Sequence, residues 1–404
     1  MAARLARYAP SEAGPVNAPR LRIMLVSDQY PPMVGGVPTV VSQLAAGLAA
    51  RGHDVAVLAP SAGWRGGAGR TGAAQVSYAG SAPWPLYPGL RIAAARPSTV
   101  RRQVAAFGPD VVHAHSPLTL GRAALTTARQ LAIPVVYTNH YLPANVLPAM
   151  HRRPAAFDRA FYAYLTGFGN RCALVTAPTT TALDLLQCRG LAVRGRVISN
   201  GIDTGCFRPG PVDAVLRERY GLGGDVPVIL SLGRLSPEKR ADVLIDAVAR
   251  LTVPARLVLA GTGPDAGRLA ARARKLGVAS QVLFPGFIPD TDLAGLYRLG
   301  HVFATASEAE LQGITTMHAL ASGLPVVAAR AGALSELVAH GTSGYLFGPG
   351  QASEAAKYLS RLLADRGLRD RIAAAARPTM IAHDLSRCLV AWEQTYAAVR
   401  RSGG

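Results

Sequence analysis

The chain has 404 residues, half of them hydrophobic, with 42 glycines and 29 prolines spread as punctuation. That length exceeds one ordinary core and that composition is globular α/β, so a disordered or fibrous chain is excluded and two domains are expected. The formal charge of +19 is uneven: residues 1–200 carry 20 basic against 6 acidic residues, residues 201–404 carry 23 against 18.

An acid-poor first half suits an anionic surface such as a membrane. No basic run is interleaved with aromatics, so nucleic acid is not an expected partner. There is no repeat and no apolar run of bilayer-spanning length. Residues 1–20 hold Arg and Ala without the apolar core of a signal peptide and read as a disordered tail. Cys172, Cys188, Cys206 and Cys388 are far apart, with no CxxC, which argues for a reducing, cytoplasmic compartment and against a zinc site.

Leu21 to Ser27 reads as a buried strand, Tyr30 to Gly36 as a loop, Val37 to Ala50 as a helix and Asp54 to Ala59 as a strand. This is a β-loop-α-β unit of a parallel sheet. Gly35-Gly36 reads either as a tight turn or as a place where backbone meets a ligand without Cβ interference. Ser61 to Gly72 reads as a Gly-rich loop with Trp64, Arg65 and Arg70, which is either a surface loop or a membrane-interface contact.

Strands are expected at Asp110–His115 and Pro134–Tyr137, with a helix from Leu118 to Leu131 between them. His140 follows the second strand, where open α/β sheets bind ligands. His113 and His115 alternate along a strand and read as packing residues. Phe157, Phe161 and Tyr164 recur at helical spacing and read as a core face. Further strands are expected at Cys172–Thr176 and Arg196–Ile198, with a helix Thr179–Arg189. Asn200-Gly201-Ile202-Asp203 and the Gly and Pro residues after it mark a domain boundary.

A second α/β series starts at Val226. A strand Val228–Leu232 leads into Gly233-Arg234-Leu235-Ser236-Pro237-Glu238-Lys239. Gly261-Thr262-Gly263-Pro264-Asp265-Ala266 fits a loose dinucleotide fingerprint. The acid such a site needs about 20 residues later is missing, so it reads as a tight turn. Asp290-Thr291-Asp292 has the D-x-D spacing of metal–nucleotide sites but falls where a helix starts, and capping explains it better.

From Ala306 to Val327 comes a loop with Glu308 and Glu310, then Gly313, a helix Thr315–Ala321, Gly323 and a buried strand. Free N–H groups and the dipole at such a helix start favour an anion, and the acids ahead can reach hydroxyls; an ordinary strand-to-helix connection with a solvated loop is the other reading. Glu308 reads as a solvated loop residue. A final helix from Leu385 carries Leu389, Trp392, Tyr396 and Val399 on one stripe.

Gly233-Arg234 with Lys239, Glu310 with an eight-residue step to position 318, and Ala321-Ser322-Gly323-Leu324-Pro325-Val326-Val327 together resemble the retaining glycosyltransferases of family 4. Gly35-Gly36, Arg51-Gly52-His53-Asp54-Val55, Thr138-Asn139-His140 and Asn200-Gly201-Ile202-Asp203 agree. The resemblance covers residues 21–400 and is to bacterial lipid and glycolipid hexosyltransferases. It implies the GT-B fold: two Rossmann-like α/β domains facing a cleft, one over 21–199 for the acceptor, one over 200–378 for the donor. Residues 379–404 would form a helix crossing back to the first domain.

The resemblance further implies that Arg234 and Lys239 hold the diphosphate of a nucleotide-sugar donor, in place of a metal ion or cofactor. Gly313, Ile314 and Thr315 would offer backbone N–H groups to its phosphates, Gly233 and Gln312 would help bind the donor, Glu310 would bond the sugar, and Phe287-Ile288 would touch the base. Gly35-Gly36 would close over the phosphates and His140 would contact the sugar. The family carries a second Glu where this chain has His318; that Glu binds both ribose hydroxyls, and a neutral imidazole has one acceptor.

The expected activity is hexose transfer to a lipid or lipid-linked acceptor, by a protein peripheral on the inner face of the plasma membrane. Transfer to a soluble small molecule or sugar is the first alternative. An impaired or non-catalytic nucleotide-sugar binder, on account of His318, is the second.

Overall fold

A computed structural model describes residues 19–84, 91–146 and 154–402. Most of the tail expected over residues 1–20 therefore lies outside the described residues. The chain forms two compact units. One holds residues 19–146, 154–201 and 385–402, and the other holds Ile202–Asp384.

The first unit is built on an eight-stranded sheet. Its strands are β1 (Arg22–Val26), β2 (Asp54–Pro60), β3 (Gly67–Thr71), β4 (Ala74–Ala79), β7 (Val111–Ala114), β8 (Val135–Thr138), β9 (Leu174–Ala177) and β10 (Gly195–Val197). β5 (Ser81–Pro83) and β6 (Arg91–Ala93) form a separate antiparallel pair. The sheet order is β10-β9-β8-β7-β1-β2-β4-β3, parallel except for β3 against β4. Strands such as Ile23 to Val26 and Val55 to Pro60 are buried on both faces, which is why they read as continuous apolar runs.

Two expectations are corrected here. Ser61 to Gly72 is not one loop: its last part is strand β3, paired from Gly67↔Tyr78 to Thr71↔Ala74. Trp64 stands before it, 81% exposed. On the helix Ala155–Gly169 the buried stripe is Tyr162, Leu165 and Phe168. Phe157 and Phe161 are half-buried and Tyr164 is exposed, with its hydroxyl donating to the Pro117 carbonyl. The stripe spacing was right and the face was not.

The helix Leu385–Ser402 belongs to the first unit and buries Leu389, Trp392, Tyr396 and Val399 against the helix Gly36–Ala50 and the sheet. A buried ion pair fixes it. Arg51 donates through Nε and Nη2 to the two oxygens of Glu393 (2.6 and 2.9 Å), and His53 Nε2 lies 3.2 Å from the same carboxylate. His53 Nδ1 accepts from the Leu21 backbone, so Nε2 carries the proton and donates.

The second unit has six parallel strands: β11 (Val228–Leu232), β12 (Arg256–Ala260), β13 (Val282–Gly286), β14 (Val302–Thr305), β15 (Val326–Ala329) and β16 (Gly344–Phe347). Their order is β13-β12-β11-β14-β15-β16. This is the doubly wound order, with helices on both faces and a crevice where the winding reverses, between β11 and β14. In the first unit the same reversal falls between β1 and β7. Among the described residues no helix is long and apolar enough to cross a membrane.

Candidate active site

The segments after β11 and β14 meet at the reversal point of the second unit. After β11 the backbone passes Gly233 and Arg234 and makes a short 3-10 turn, Pro237–Lys239. After β14 comes the acidic loop, then the helix Ile314–Ala321, entered through Gly313 at φ 77° with no side-chain cap. The structure brings the two segments into contact. Lys239 Nζ donates to Glu310 at 2.6 Å. Arg240 donates to Glu308 at 2.7 Å, and the Glu308 backbone N–H donates to the Glu238 carbonyl at 3.3 Å.

Glu308 is exposed, as a solvated loop residue would be, and it also ties the two loops together through Arg240. Arg240 itself is held at φ 48°, in the left-handed region that non-glycine residues seldom adopt. Glu238 was not singled out from sequence. Its Oε1 accepts from Arg234 (3.0 Å) and from the Ser236 hydroxyl (2.6 Å), while its buried Oε2 and the buried Ser307 hydroxyl have no partner among the described residues. Lys239 and Glu310 remain partly accessible, at 27% and 16% of their side chains.

Two glycines let neighbouring segments pack closely against these loops. A Cβ on Gly261 would collide with the Gly233 carbonyl, so the run Gly261 to Ala266 is indeed a turn, and its glycines serve packing against the Gly233–Leu235 loop. Gly332, at φ 48°, lets the following backbone reach the Glu310 carbonyl, which accepts from Ala333 N–H at 3.1 Å. Glu310 is thus held at both its backbone and its side chain.

Gln312 is buried at 3% exposure, whereas Ile314 and Thr315 are half-buried at the helix start, where the Thr315 carbonyl accepts from Tyr297 OH. Phe287 is exposed and Ile288 buried. The half-buried His318 ring lies flat on buried Phe207, with centroids 3.6 Å apart and 9° between planes, and Tyr297 meets it edge-on at 5.9 Å. Asp290 and Asp292 occupy the first turn of the helix Asp290–Leu299, behind Pro289. Capping is not the role of Asp292: it accepts from Arg219 (2.9 Å) and the Tyr220 hydroxyl (2.8 Å), which lowers its pKa. Among the described residues no group of three His, Cys, Asp or Glu could hold a metal ion.

The remaining candidates, Gly35, Gly36 and His140, belong to the first unit. Gly35 precedes the helix Gly36–Ala50 with extended backbone. His140 follows β8, half-buried, and burial pushes its pKa down to about 4. Its Nε2 lies 3.1 Å from Nδ1 of buried His115. His113 is a packing residue: Nδ1 lies 2.7 Å from the Tyr396 hydroxyl and Nε2 2.7 Å from that of Thr138.

The reversal point of the first unit holds a residue that sequence reading missed, Asp28. Its carboxylate accepts from Ser116, from Thr119 (2.8 Å) and from the backbone of Leu120 (3.0 Å), at the start of the helix Thr119–Gln130. Burial nevertheless pushes its pKa up. Its place directly after the first apolar strand was the available signal.

Comparison with known proteins agrees with this architecture. Residues 34–205 match the Glycosyltransferase Family 4 profile and residues 213–379 match Glycosyl transferases group 1. The chain is 35% identical to a D-inositol 3-phosphate glycosyltransferase of Xylanimonas cellulosilytica, over 66% of this chain and 67% of that one. It is 29% identical to an alpha-monoglucosyldiacylglycerol synthase of Streptococcus pneumoniae, over 81% and 75%. A sulfoquinovosyl transferase of Arabidopsis thaliana is 30% identical over 75% of this chain, and the match spans 59% of that longer protein. The crystal structure of Anabaena HepE in complex with UDP and glucose superposes with a TM-score of 0.76 at 24% identity, covering 95% of this chain and all of that one. With a family 4 half followed by a group 1 half on two parallel-sheet units, the chain belongs to the glycosyltransferases of the GT-B fold.

Proposed function

We propose that this glycosyltransferase moves a hexose from a nucleotide-diphosphate sugar to a hydroxyl of a lipid or lipid-linked acceptor, with retention and without a metal ion. The contact between Lys239 and Glu310 carries this reading. It puts a cation suited to the leaving diphosphate beside a carboxylate suited to sugar hydroxyls, both partly accessible. Arg234 joins Lys239 on the phosphates, and the backbone N–H groups of Gly313, Ile314 and Thr315 offer a helix start to the same anion. Gly233, Gln312 and the Phe287-Ile288 turn complete the donor side, and His318 meets the ribose. On the first unit, Gly35, Gly36 and His140 are the proposed substrate contacts.

In the proposed reaction the bond from the anomeric carbon to the diphosphate breaks while the acceptor oxygen bonds to the same face of that carbon. The acceptor proton passes to a phosphate oxygen. Two fixed cations stabilise the charge that develops on the leaving group, which is worth several kcal/mol in a water-poor site.

The lipid acceptor is supported by the acid-poor first half, by exposed Trp64 beside Arg65 and by the diacylglycerol named in the streptococcal relative. The inositol phosphate named in the Xylanimonas relative favours a soluble acceptor. The test is transfer from a panel of nucleotide sugars to diacylglycerol or glycolipid in anionic vesicles, against soluble polyols and sugar phosphates, with and without EDTA. Lipid-borne product that persists in EDTA is expected. Product on soluble acceptors alone would give the soluble reading, and neither transfer nor hydrolysis with any donor in the panel would leave a binder.

A further inference from the structure

His113 and His115 lie on and just after β7, and His140 just after the neighbouring β8. All three have pKa values depressed by burial, so all are neutral near pH 7. A neutral imidazole has one donor and one acceptor. In the His115–His140 contact one ring must therefore donate and the other accept. The ring centroids are 5.3 Å apart and the planes differ by only 15°. That separation exceeds the 3.1 Å N···N distance by roughly two ring radii, so the rings meet edge to edge in nearly one plane, as a hydrogen bond requires.

The direction of that bond follows from the other side of His115. This residue is 1% exposed, and its Nε2 is buried with no partner among the described residues. If His140 donated, His115 would carry its own proton on Nε2, as a buried N–H without an acceptor. If His115 donates from Nδ1, the orphaned Nε2 is only an unused lone pair, the less costly arrangement. His140 then accepts at Nε2 and must carry its proton on Nδ1, which meets no acceptor among the described residues.

We propose that His115 is a positioning residue that fixes His140 as a hydrogen-bond donor at Nδ1, aimed at an oxygen of the substrate. Its function rests on the reading of His140 as a substrate contact. With the proton held at Nδ1, His140 orients that oxygen and cannot act there as a base. This is consistent with the acceptor proton leaving to a donor phosphate.

Long-range proton–nitrogen NMR spectra of the full chain report the tautomer directly, with His140 assigned by loss of its signals in His140→Gln. Wild type is expected to show His140 as Nδ1–H. His115→Asn places an amide donor near the lost Nδ1 and should keep both that tautomer and kcat. His115→Leu should release His140 to Nε2–H and lower kcat roughly tenfold, with little change in donor KM. Wild-type His140 found as Nε2–H overturns the proposal. A tautomer that shifts in His115→Leu without loss of kcat overturns the substrate role of His140 and leaves the Lys239–Glu310 reading standing.

Discussion

The two units each have a sheet whose winding reverses at one point, and they use that point in opposite ways. In the first, the helix start beside β1 and β7 is filled by the chain's own carboxylate, Asp28, buried and bonded to Ser116, Thr119 and Leu120. A phosphate has no place there. In the second, the helix start at Gly313 has no side-chain cap, and the residues beside it are partly accessible opposite charges, Lys239 and Glu310. One topology thus gives a closed structural site and an open site suited to an anion. The proposed ligand contact of the first unit is a neutral histidine, and that of the second is an ion pair.

The contrast breaks most visibly at Asp28. Asp28→Ala leaves the hydroxyls and N–H groups it serves without an acceptor, at a cost of about 2–4 kcal/mol. Denaturant unfolding should show this loss while nucleotide binding by the folded protein is kept. Tight binding of a second nucleotide diphosphate by that variant would mean that the helix start, not its filling, decides where a donor binds.

Acid comes next. Histidine in an unfolded chain titrates near 6.5, and His140 in the folded protein near 4. Between those values the unfolded chain binds more protons. Stability is therefore full above pH 6.5 and falls as the pH drops towards 4, by roughly 2–3 kcal/mol for His140 once its partial exposure is discounted. His113 and His115 act in the same direction. Thermal melts of wild type and His140→Gln over this range should diverge at the acid end; parallel curves would contradict the neutral triad.

Two smaller effects sharpen the picture of the second unit. His318→Glu restores the two-oxygen acceptor for ribose and loses the ring stack on Phe207. We expect tighter nucleotide-diphosphate binding together with a stability loss of about 1 kcal/mol. Weaker binding would show that His318 makes a contact a carboxylate cannot replace. A double-mutant cycle on Arg240→Ala and Glu308→Ala should give a coupling of about 0.5 kcal/mol that fades with salt, because the pair is more than a third exposed.

Much of this was legible in the sequence, because parallel strands buried on both faces are continuous apolar runs and the loops after them carry glycine. The series Leu21–Ser27 to Asp54–Ala59 and the segments around Arg234 and Glu310 were read that way. Arg51-Gly52-His53 was visible as a motif, yet its reason lies 340 residues away at Glu393, where the last helix is anchored. Strand β3 has the sequence Gly-Ala-Gly-Arg-Thr, in which only Thr71 favours a strand; pairing with β4 makes it one. Phe157, Phe161 and Tyr164 had the period of a buried face, but Tyr162, Leu165 and Phe168 have a helical period too, and only packing chooses between them. The pairing of Lys239 with Glu310 joins loops from two strands and has no local signal.

Calorimetric titration of a nucleoside diphosphate and its hexose conjugate, each into wild type, Lys239→Met and Glu310→Gln, separates the two roles in that pair. Lys239→Met should weaken both ligands roughly tenfold or more, since a charge-assisted contact to phosphate is lost. Glu310→Gln should weaken the sugar conjugate and leave the bare diphosphate bound as in wild type. If both variants bind both ligands as wild type does, the donor is not held by Lys239 and Glu310.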